Sequence, residues 1–352
     1  MGASEQGRVS VIIPARNEEA SIARVLKSLA TQPGVREILV VDDQSADRTG
    51  EILTALKAEI ALLRVSRVES LPQGWLGKTH AAATGAHLAT GDWLLFTDAD
   101  TEHAAGSLAE LVQRAEKERA DLLSVSPGQE TPTWWEKSVI PLVYAKLASL
   151  YSFEEVSDPQ SPAAAANGQY LLVRREVYEG IGGHAAVKSE ILEDVELARR
   201  IKAQGGKLLF LPGAQWVRTR MYRTFGDMWR GWTKNLYLLY EADLGKMLAT
   251  VASLWLWDVA PTLAFVAACL WAALSRGGMA VLTAVGLLVL ALVRDWDYGR
   301  TLARLGFDPS LASYHPVGAG LLGALVLNSV RAHRAVGNIE WKGRHYATKG
   351  KR

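Results

Sequence analysis

The sequence predicts an α/β domain with a mainly parallel sheet, followed by a small helical transmembrane region. Short apolar runs alternate with amphipathic segments through residues 1–240, the pattern of parallel strands joined by helices. Longer apolar runs dominate from about 247 to 330, and runs of this kind are long enough to span a bilayer. We therefore expect a soluble domain at 1–240 and a membrane region with a basic tail at 241–352.

Length, charge and cysteine content restrict the class of protein. The chain has 352 residues, enough for about two domains. Its 39 Lys and Arg nearly balance its 37 Asp and Glu, so nothing in the overall charge favours a nucleic-acid partner. Cys269 is the one cysteine, which excludes an intramolecular disulfide and a cysteine metal cluster.

The first strand and helix follow directly from local pattern. Val9–Ile13 is predicted as a strand and Pro14–Glu19 as the loop after it. Ser21 is a suitable cap for the next helix. That helix has apolar residues at spacings of three and four, namely Ile22, Val25, Leu26 and Leu29. The second strand, Ile38–Val41, ends in two acidic residues, Asp42 and Asp43, and further strand–helix alternation follows.

The fourth strand carries the strongest chemical indication. The apolar run Trp93–Phe96 leads into Asp98 and Asp100, whose side chains can point the same way from an extended backbone. Carboxylates this close repel each other unless a positive charge lies between them. The pair favours a hard divalent cation, Mg²⁺ or Mn²⁺. The alternative is a solvated turn, since Asp is common in turns.

Three later segments bear candidate functional side chains. Lys78 follows two glycines at the start of an Ala-rich helix, where an ammonium and a helix N-terminus favour phosphate, although a solvated lysine is the alternative. Glu193 and Asp194 lie in the first turn of another predicted helix. They either stabilise that helix as first-turn acids or take part in the reaction. A helix at 222–240 contains Arg230 and Trp232.

Three segments in order resemble the family 2 glycosyltransferases, enzymes that take a sugar from a nucleotide diphosphate. They are Val11–Glu19, Val40–Thr49 and Thr97–Asp100. The resemblance implies a GT-A-type, Rossmann-like nucleotide-sugar-binding domain and a Mg²⁺ or Mn²⁺ ion. It also implies that Asp43 accepts hydrogen bonds from the nucleobase. Asp98 and Asp100 would hold the metal together, and Asp98 would also contact the nucleotide. The other implied pocket residues are Pro14, Ala15, Asn17 and Glu18.

The run Pro72–Lys78 resembles the branch that glycosylates lipids, meaning the hopanoid-associated and carotenoid enzymes with ceramide glucosyltransferases as relatives. The resemblance implies that Lys78 binds the nucleotide diphosphate and that Asp194 is the base that deprotonates the acceptor. Glu193, Arg230 and Trp232 would lie at the mouth for diphosphate and acceptor. Arg230-Gly231-Trp232 departs from that branch's Gln- or Arg-x-x-Arg-Trp pattern.

The membrane region is predicted to cross twice. Leu248–Leu274 and Gly278–Val293 form a hairpin, and Tyr314–Val330 is a third apolar run. Arg294, Arg300 and Arg304 precede that third run, and seven Lys or Arg follow it. Because basic loops stay cytoplasmic, the third run is expected to be re-entrant or interfacial.

These observations favour a multi-pass enzyme of the inner cell membrane with its catalytic domain on the cytoplasmic face. We expect inverting transfer of a sugar, by resemblance from a UDP-sugar, to a lipid hydroxyl of a hopanoid, carotenoid, ceramide or glycerolipid-like acceptor. The alternatives are a processive polysaccharide synthase and a catalytically silent membrane scaffold. A small membrane region disfavours the synthase, and the set Asp43, Asp98, Asp100 and Asp194 disfavours the scaffold.

Overall fold

The computed structural model describes residues 8–275, 277–336, 338–341 and 344–347. Contacts divide the chain into two compact units. The first unit contains residues up to Gly128 together with Leu150–Met221. The second contains Gln129–Ser149 and the residues from Tyr222 onwards.

A seven-stranded sheet forms the centre of the first unit. Its strands, in the order in which they lie across the sheet, are β3 (Leu63–Arg67), β2 (Val35–Asp42), β1 (Val9–Ala15), β4 (Trp93–Phe96), β8 (Leu171–Arg174), β6 (Leu122–Ser126) and β9 (Leu208–Pro212). Neighbours are parallel except at β8, which is antiparallel to both β4 and β6. The mainly parallel sheet predicted from the sequence is therefore confirmed.

Helices cover both faces of this sheet. They are α1 (Ile22–Ala30), α2 (Thr49–Glu59), α3 (Gly77–Leu88), α4 (Ser107–Lys117), α6 (Phe153–Ser157), α7 (Arg175–Gly180) and α8 (Glu193–Ala203). Alternate residues of β1 point to opposite faces, so Val11 and Ile13 lie in one apolar cluster and Ile12 in another. Strands buried on both faces become continuous apolar runs, which is why the sequence showed no strict alternation there.

Short strands complete the first unit. β5 (Thr101–His103) pairs antiparallel with β10 (Val217–Thr219). β7 (Gly128–Gln129) begins at Gly128, the last residue of the first of the two chain segments that form this unit. One local prediction differs in detail. Ser21 stands just before α1, but its hydroxyl donates to the Glu18 carboxylate at 2.8 Å rather than accepting a helix amide.

The second unit is helical. Its helices are α5 (Trp134–Leu150), α9 (Phe225–Leu239), α10 (Leu244–Ser253), a π-helical segment (Leu254–Val259), α11 (Ala260–Ser275), α12 (Gly278–Arg304) and α13 (His315–Arg331). A 3₁₀ turn (Pro309–Tyr314) precedes α13, and a π-helical turn (Ala332–Val336) follows it. The backbone of β11 (Asn338–Trp341) pairs antiparallel with β12 (Arg344–Ala347).

Three helical stretches of this unit are long and apolar enough to cross a membrane: Leu244–Ser275, Gly278–Arg304 and Pro309–Arg334. Only 11% and 6% of the apolar windows in the first two are buried, against 50% in the third. The exposed apolar surface of the first two suits lipid. Whether the third stretch crosses stays a prediction. Four of the seven basic residues that follow it lie outside the described residues, namely Lys342, Lys349, Lys351 and Arg352.

Close helix packing explains why the third stretch is half-buried. A Cβ on Gly318 of α13 would lie 2.1 Å from the Ser138 carbonyl oxygen of α5, so only glycine permits this approach. α13 is also tied to α9, because the Ser329 hydroxyl donates to the Thr233 carbonyl at 2.6 Å. The helix is thus anchored by contacts inside its own unit.

Candidate active site

The candidate site lies at the carboxyl edge of the large sheet. β1, β2 and β4 are parallel, so their carboxyl ends meet at one edge. Ala15 pairs with Asp42 at the ends of β1 and β2, and Thr97–Asp100 follows β4. This edge brings together residues from three segments that are far apart in the sequence, the loops after β1, β2 and β4.

The loops after β1 and β2 are joined by backbone and side-chain hydrogen bonds. The Asp43 amide donates to the Ala15 carbonyl at 2.8 Å, and the Arg16 guanidinium donates to the Asp43 carbonyl at 2.7 Å. Asp43 is 3% exposed. These bonds fix the position of Asp43, whose proposed contact with a base depends on that position.

The second half of the same loop is built around Asn17. Its φ is +54°, a left-handed conformation that asparagine tolerates better than most residues. Its amide donates to the Ser45 hydroxyl at 3.0 Å, and its side-chain oxygen accepts from the Ala46 amide at 2.9 Å. The Glu18 amide donates to the Thr49 hydroxyl at 2.8 Å. Asn17 and Glu18 therefore hold two loops together, and their place in the nucleotide pocket stays a prediction.

The turn after β4 presents two carboxylates. Asp98 and Asp100 are partly exposed, whereas Ala99 between them is 2% exposed. The Thr101 hydroxyl donates to the Asp98 carbonyl at 2.8 Å, and the Arg24 guanidinium donates to the Asp100 carbonyl at 3.2 Å. The backbone of the turn is thereby fixed, and both side chains stay partly exposed, although Oδ1 of Asp100 is buried.

This pair of carboxylates fits a hard divalent cation. Both offer oxygen ligands, the type that Mg²⁺ and Mn²⁺ prefer. Within the described ranges, no cluster of three or more His, Cys, Asp or Glu side chains is arranged to hold a metal. A cation here would need further ligands from water or from a bound diphosphate.

Lys78 links this turn to the opposite side of the site. Its ammonium nitrogen lies 2.9 Å from Asp98 Oδ1 and 2.9 Å from Glu193 Oε1. Desolvation works against the charge, but the carboxylates of Asp98 and Glu193 raise the pKa of Lys78 well above its ordinary value. The Leu76 amide donates to the Lys188 carbonyl at 2.8 Å, which anchors the start of α3. Lys78 is therefore a fixed positive charge.

Asp194 accepts two backbone hydrogen bonds at the start of α8. The Gly168 amide donates to Oδ2 at 2.6 Å and the Val195 amide to Oδ1 at 2.8 Å. Burial and the neighbouring Glu193 raise the pKa of Asp194 to about 6, while Lys78 opposes the increase. A carboxyl that titrates near neutrality is suited to accept a proton. The first-turn alternative also finds support, since Val195 belongs to the same helix.

A small cavity joins these side chains. It has a volume of about 10 Å³ and is lined by Pro14, Lys78, Asp98, Gly168, His184 and Asp194 among others. A Cβ on Gly168 would lie 3.1 Å from the Lys78 nitrogen, so glycine allows the close approach here. His184 was missed from the sequence, where Gly182–His184 predicted only a turn. Its two preceding glycines were the available indication of a constrained backbone.

Arg230 and Trp232 lie in the second unit. Arg230 pairs with Asp227 at 2.6 Å on an exposed surface of α9. Trp232 is 3% exposed, and its indole packs edge-on against Tyr144. Their predicted place at the mouth for diphosphate and acceptor stays a prediction.

Comparison with known proteins gives a consistent result. Residues 10–182 match the family model described as Glycosyl transferase family 2. The 4,4'-diaponeurosporenoate glycosyltransferase of Staphylococcus aureus strain MRSA252 is 26% identical over 344 residues, which is 96% of this chain and 88% of the relative. The protein of the same name from strain USA300 is 26% identical over 343 residues, with the same coverage.

A solved structure shares the fold. The mannosyltransferase PcManGT from Pyrobaculum calidifontis, determined in complex with GDP-Man and Mn²⁺, superposes with a TM-score of 0.54 and 19% sequence identity. The match covers 94% of this chain and 88% of that one. The first unit, with its mainly parallel sheet, is therefore GT-A-like, and the predicted fold class is confirmed.

Proposed function

We propose that this chain, which contains a glycosyltransferase family 2 domain, is a membrane-bound inverting enzyme that transfers a sugar from a UDP-sugar to a lipid hydroxyl. The observation that carries the proposal is the cluster of Asp98, Lys78 and Asp194 around one cavity. In this cluster Asp98 offers a carboxylate to a cation, and Lys78 offers a positive charge to a phosphate. Asp194 has a pKa near neutrality, which suits a group that accepts a proton.

Asp194 is the proposed base. As the acceptor oxygen bonds to the anomeric carbon of the sugar, its proton passes to Asp194, and the bond from that carbon to the diphosphate oxygen breaks. A single displacement of this kind inverts the anomeric configuration. The two amides that donate to Asp194 hold the carboxylate in place without neutralising it. Glu193 contributes by holding Lys78 at 2.9 Å.

Asp43 and the loop from Pro14 to Glu18 form the proposed nucleotide pocket, in which the carboxylate of Asp43 accepts hydrogen bonds from the nucleobase. Asp98 and Asp100 are the residues that would hold Mg²⁺ or Mn²⁺, and Lys78 adds positive charge beside them. A divalent cation bound there would neutralise charge on the departing nucleoside diphosphate. PcManGT was determined with Mn²⁺, which supports the use of a divalent ion here.

The proposed acceptor is a lipid at the cytoplasmic face of the inner membrane. Three apolar stretches of membrane-spanning length support attachment to the bilayer. The name of the Staphylococcus aureus relatives points to a carotenoid-type acceptor within the lipid class. Arg230 stays a proposed phosphate contact because its guanidinium is exposed on α9, whereas the indole of Trp232 is buried against Tyr144, which does not support its predicted contact with an acceptor.

The full-length protein in nanodiscs, mixed with a panel of UDP- and GDP-sugars, Mn²⁺ and a lipid extract, tests the proposal. We expect one nucleotide sugar to be consumed, with release of its nucleoside diphosphate and labelling of a lipid. No consumption of any donor would favour the silent scaffold, and a labelled polymer that stays out of the lipid fraction would favour the processive synthase.

A further inference from the structure

His184 has a defined proton arrangement. Its own backbone amide donates to the Tyr178 hydroxyl at 3.0 Å, and the same hydroxyl lies 2.9 Å from His184 Nδ1. Burial raises the pKa of Tyr178 to about 12, so the hydroxyl keeps its hydrogen at neutral pH. Among the described residues this hydroxyl has two hydrogen-bonding neighbours, the amide, which can only donate, and Nδ1, so Nδ1 is the acceptor for its hydrogen. The ring hydrogen of His184 is therefore on Nε2.

The ring is neutral and tightly placed. Burial, together with the charge of Lys78, lowers the pKa of His184 to about 3. Gly183 has φ +51°, and a Cβ on it would lie 2.6 Å from the Tyr178 ring, so only glycine allows this arrangement. The His184 ring also lies against Phe96, the last residue of β4, with 4.6 Å between ring centroids.

The Nε2–H group has a place for a ligand beside it. His184 is 4% exposed and lines the cavity that Asp98 and Asp194 also line. Among the described residues, Nε2 of His184 makes no hydrogen bond, and it is not one of the fully buried unpaired atoms, so an acceptor entering the site can reach it. A volume of about 10 Å³ holds roughly one water-sized group, which is the size of a single hydroxyl.

We propose that His184 binds one hydroxyl group of the transferred sugar, with Nε2–H as the donor and the hydroxyl oxygen as the acceptor. This inference rests on the proposed function. Asp98 would lie beside the departing diphosphate and Asp194 beside the attacking oxygen, and in a single displacement the sugar lies between those two. A neutral donor suits an uncharged sugar oxygen, whereas a phosphate oxygen is better served by Lys78. His184 is thus a sugar-specificity residue.

Two substitutions, His184→Asn and His184→Gln, distinguish the role of the acceptor Nδ1 from the role of the donor Nε2–H. Asn at 184 keeps a group close to the position of Nδ1, which can accept from Tyr178, but it lacks a donor at the position of Nε2. Gln at 184 reaches further and can place an amide N–H near that position. His87→Gln is the matched control, because His87 is an exposed histidine on α3 of the same unit.

The experiment measures kcat/KM for the donor that the wild-type protein consumes, UDP-glucose or GDP-mannose in the first instance, and for its monodeoxy analogues. We expect the wild type and His87→Gln to use one analogue about tenfold less well than the parent donor. His184→Asn should use that analogue and the parent equally well, and His184→Gln should recover part of the difference. Binding of UDP or GDP alone should stay unchanged in both His184 variants.

The result that overturns the inference is unchanged discrimination among all analogues in His184→Asn with nucleotide binding intact. If His184→Asn does not fold, Tyr178→Phe replaces it, since loss of the hydroxyl hydrogen frees Nδ1 and should lower the same discrimination about threefold. Equal discrimination in Tyr178→Phe and wild type would then count against His184. Failure of the wild type to consume any donor would contradict the proposed function itself.

Discussion

Asp194→Asn should abolish most transfer while leaving the fold and nucleotide binding intact. The change removes the proposed base but keeps the size of the side chain. A positioned general base contributes roughly 10²- to 10⁴-fold to a rate, so we expect a loss of that order in kcat. Donor affinity should change little, because the base acts on the acceptor.

The stability effect can be estimated from the two backbone contacts of Asp194. An asparagine keeps one oxygen, so either the Gly168 or the Val195 amide loses its acceptor, which costs about 1–3 kcal/mol. Against this, the pKa of Asp194 is raised in the folded state from 3.8 to about 6. Its ionised form therefore costs about 3 kcal/mol of folding free energy above pH 6, and none below pH 3.8. The two effects nearly cancel, so the melting temperature at neutral pH should change little.

The assay is release of nucleoside diphosphate in the presence of acceptor, with donor binding and thermal unfolding measured on the same sample. Glu196→Gln is the matched control, because Glu196 lies in the same first turn and pairs with Arg199 and Arg200 on its own helix. An Asp194→Asn protein that unfolds, or one that keeps full activity, would refute the base assignment and leave the first-turn role of Asp194.

Three further predictions concern the cation, the charge of Lys78 and the membrane arrangement. Asp100→Asn should weaken Mn²⁺-dependent binding of UDP at least tenfold in titration calorimetry, and unchanged affinity would contradict the metal assignment. The rate of transfer should fall as the pH drops through about 6, where Asp194 becomes protonated. In Lys78→Gln this fall should begin at a higher pH, because the charge of Lys78 lowers the pKa of Asp194. If the rate falls at the same pH in Lys78→Gln and in the wild type, the charge of Lys78 does not influence the pKa of Asp194. In a variant without the native cysteine, a membrane-impermeant thiol reagent on intact cells should label Ser275→Cys and not Thr348→Cys, and labelling at 348 would favour three crossings.

Much of the sheet could be predicted because local pattern determines it. β1, β2 and β4 are apolar runs that end in loop residues with specific chemistry, and parallel order places those loops at one edge. The antiparallel direction of β8 could not be predicted, because direction depends on the path of the preceding chain. A strand buried between β4 and β6 has the same composition in either direction.

The candidate site was predictable where carboxylates follow strands, and less so elsewhere. Lys78 was expected at a phosphate, and the structure adds its contacts with Asp98 and Glu193, which come from distant parts of the sequence. His184 carried no local pattern of its own. Its importance depends on the Tyr178 hydroxyl and on a cavity formed by several elements, and neither is visible before the chain is folded.

The most direct test of the proposed function is the anomeric configuration of the lipid product. The full-length protein would be incubated with an α-linked UDP-sugar labelled with ¹³C at the anomeric carbon, Mn²⁺ and a hydroxylated lipid, and the extracted lipid analysed by NMR. We predict a single β-linked sugar on the lipid, because one displacement at the anomeric carbon inverts the α linkage of the donor. An α-linked product, or consumption of the donor without any sugar on lipid, would contradict inverting transfer to a lipid acceptor.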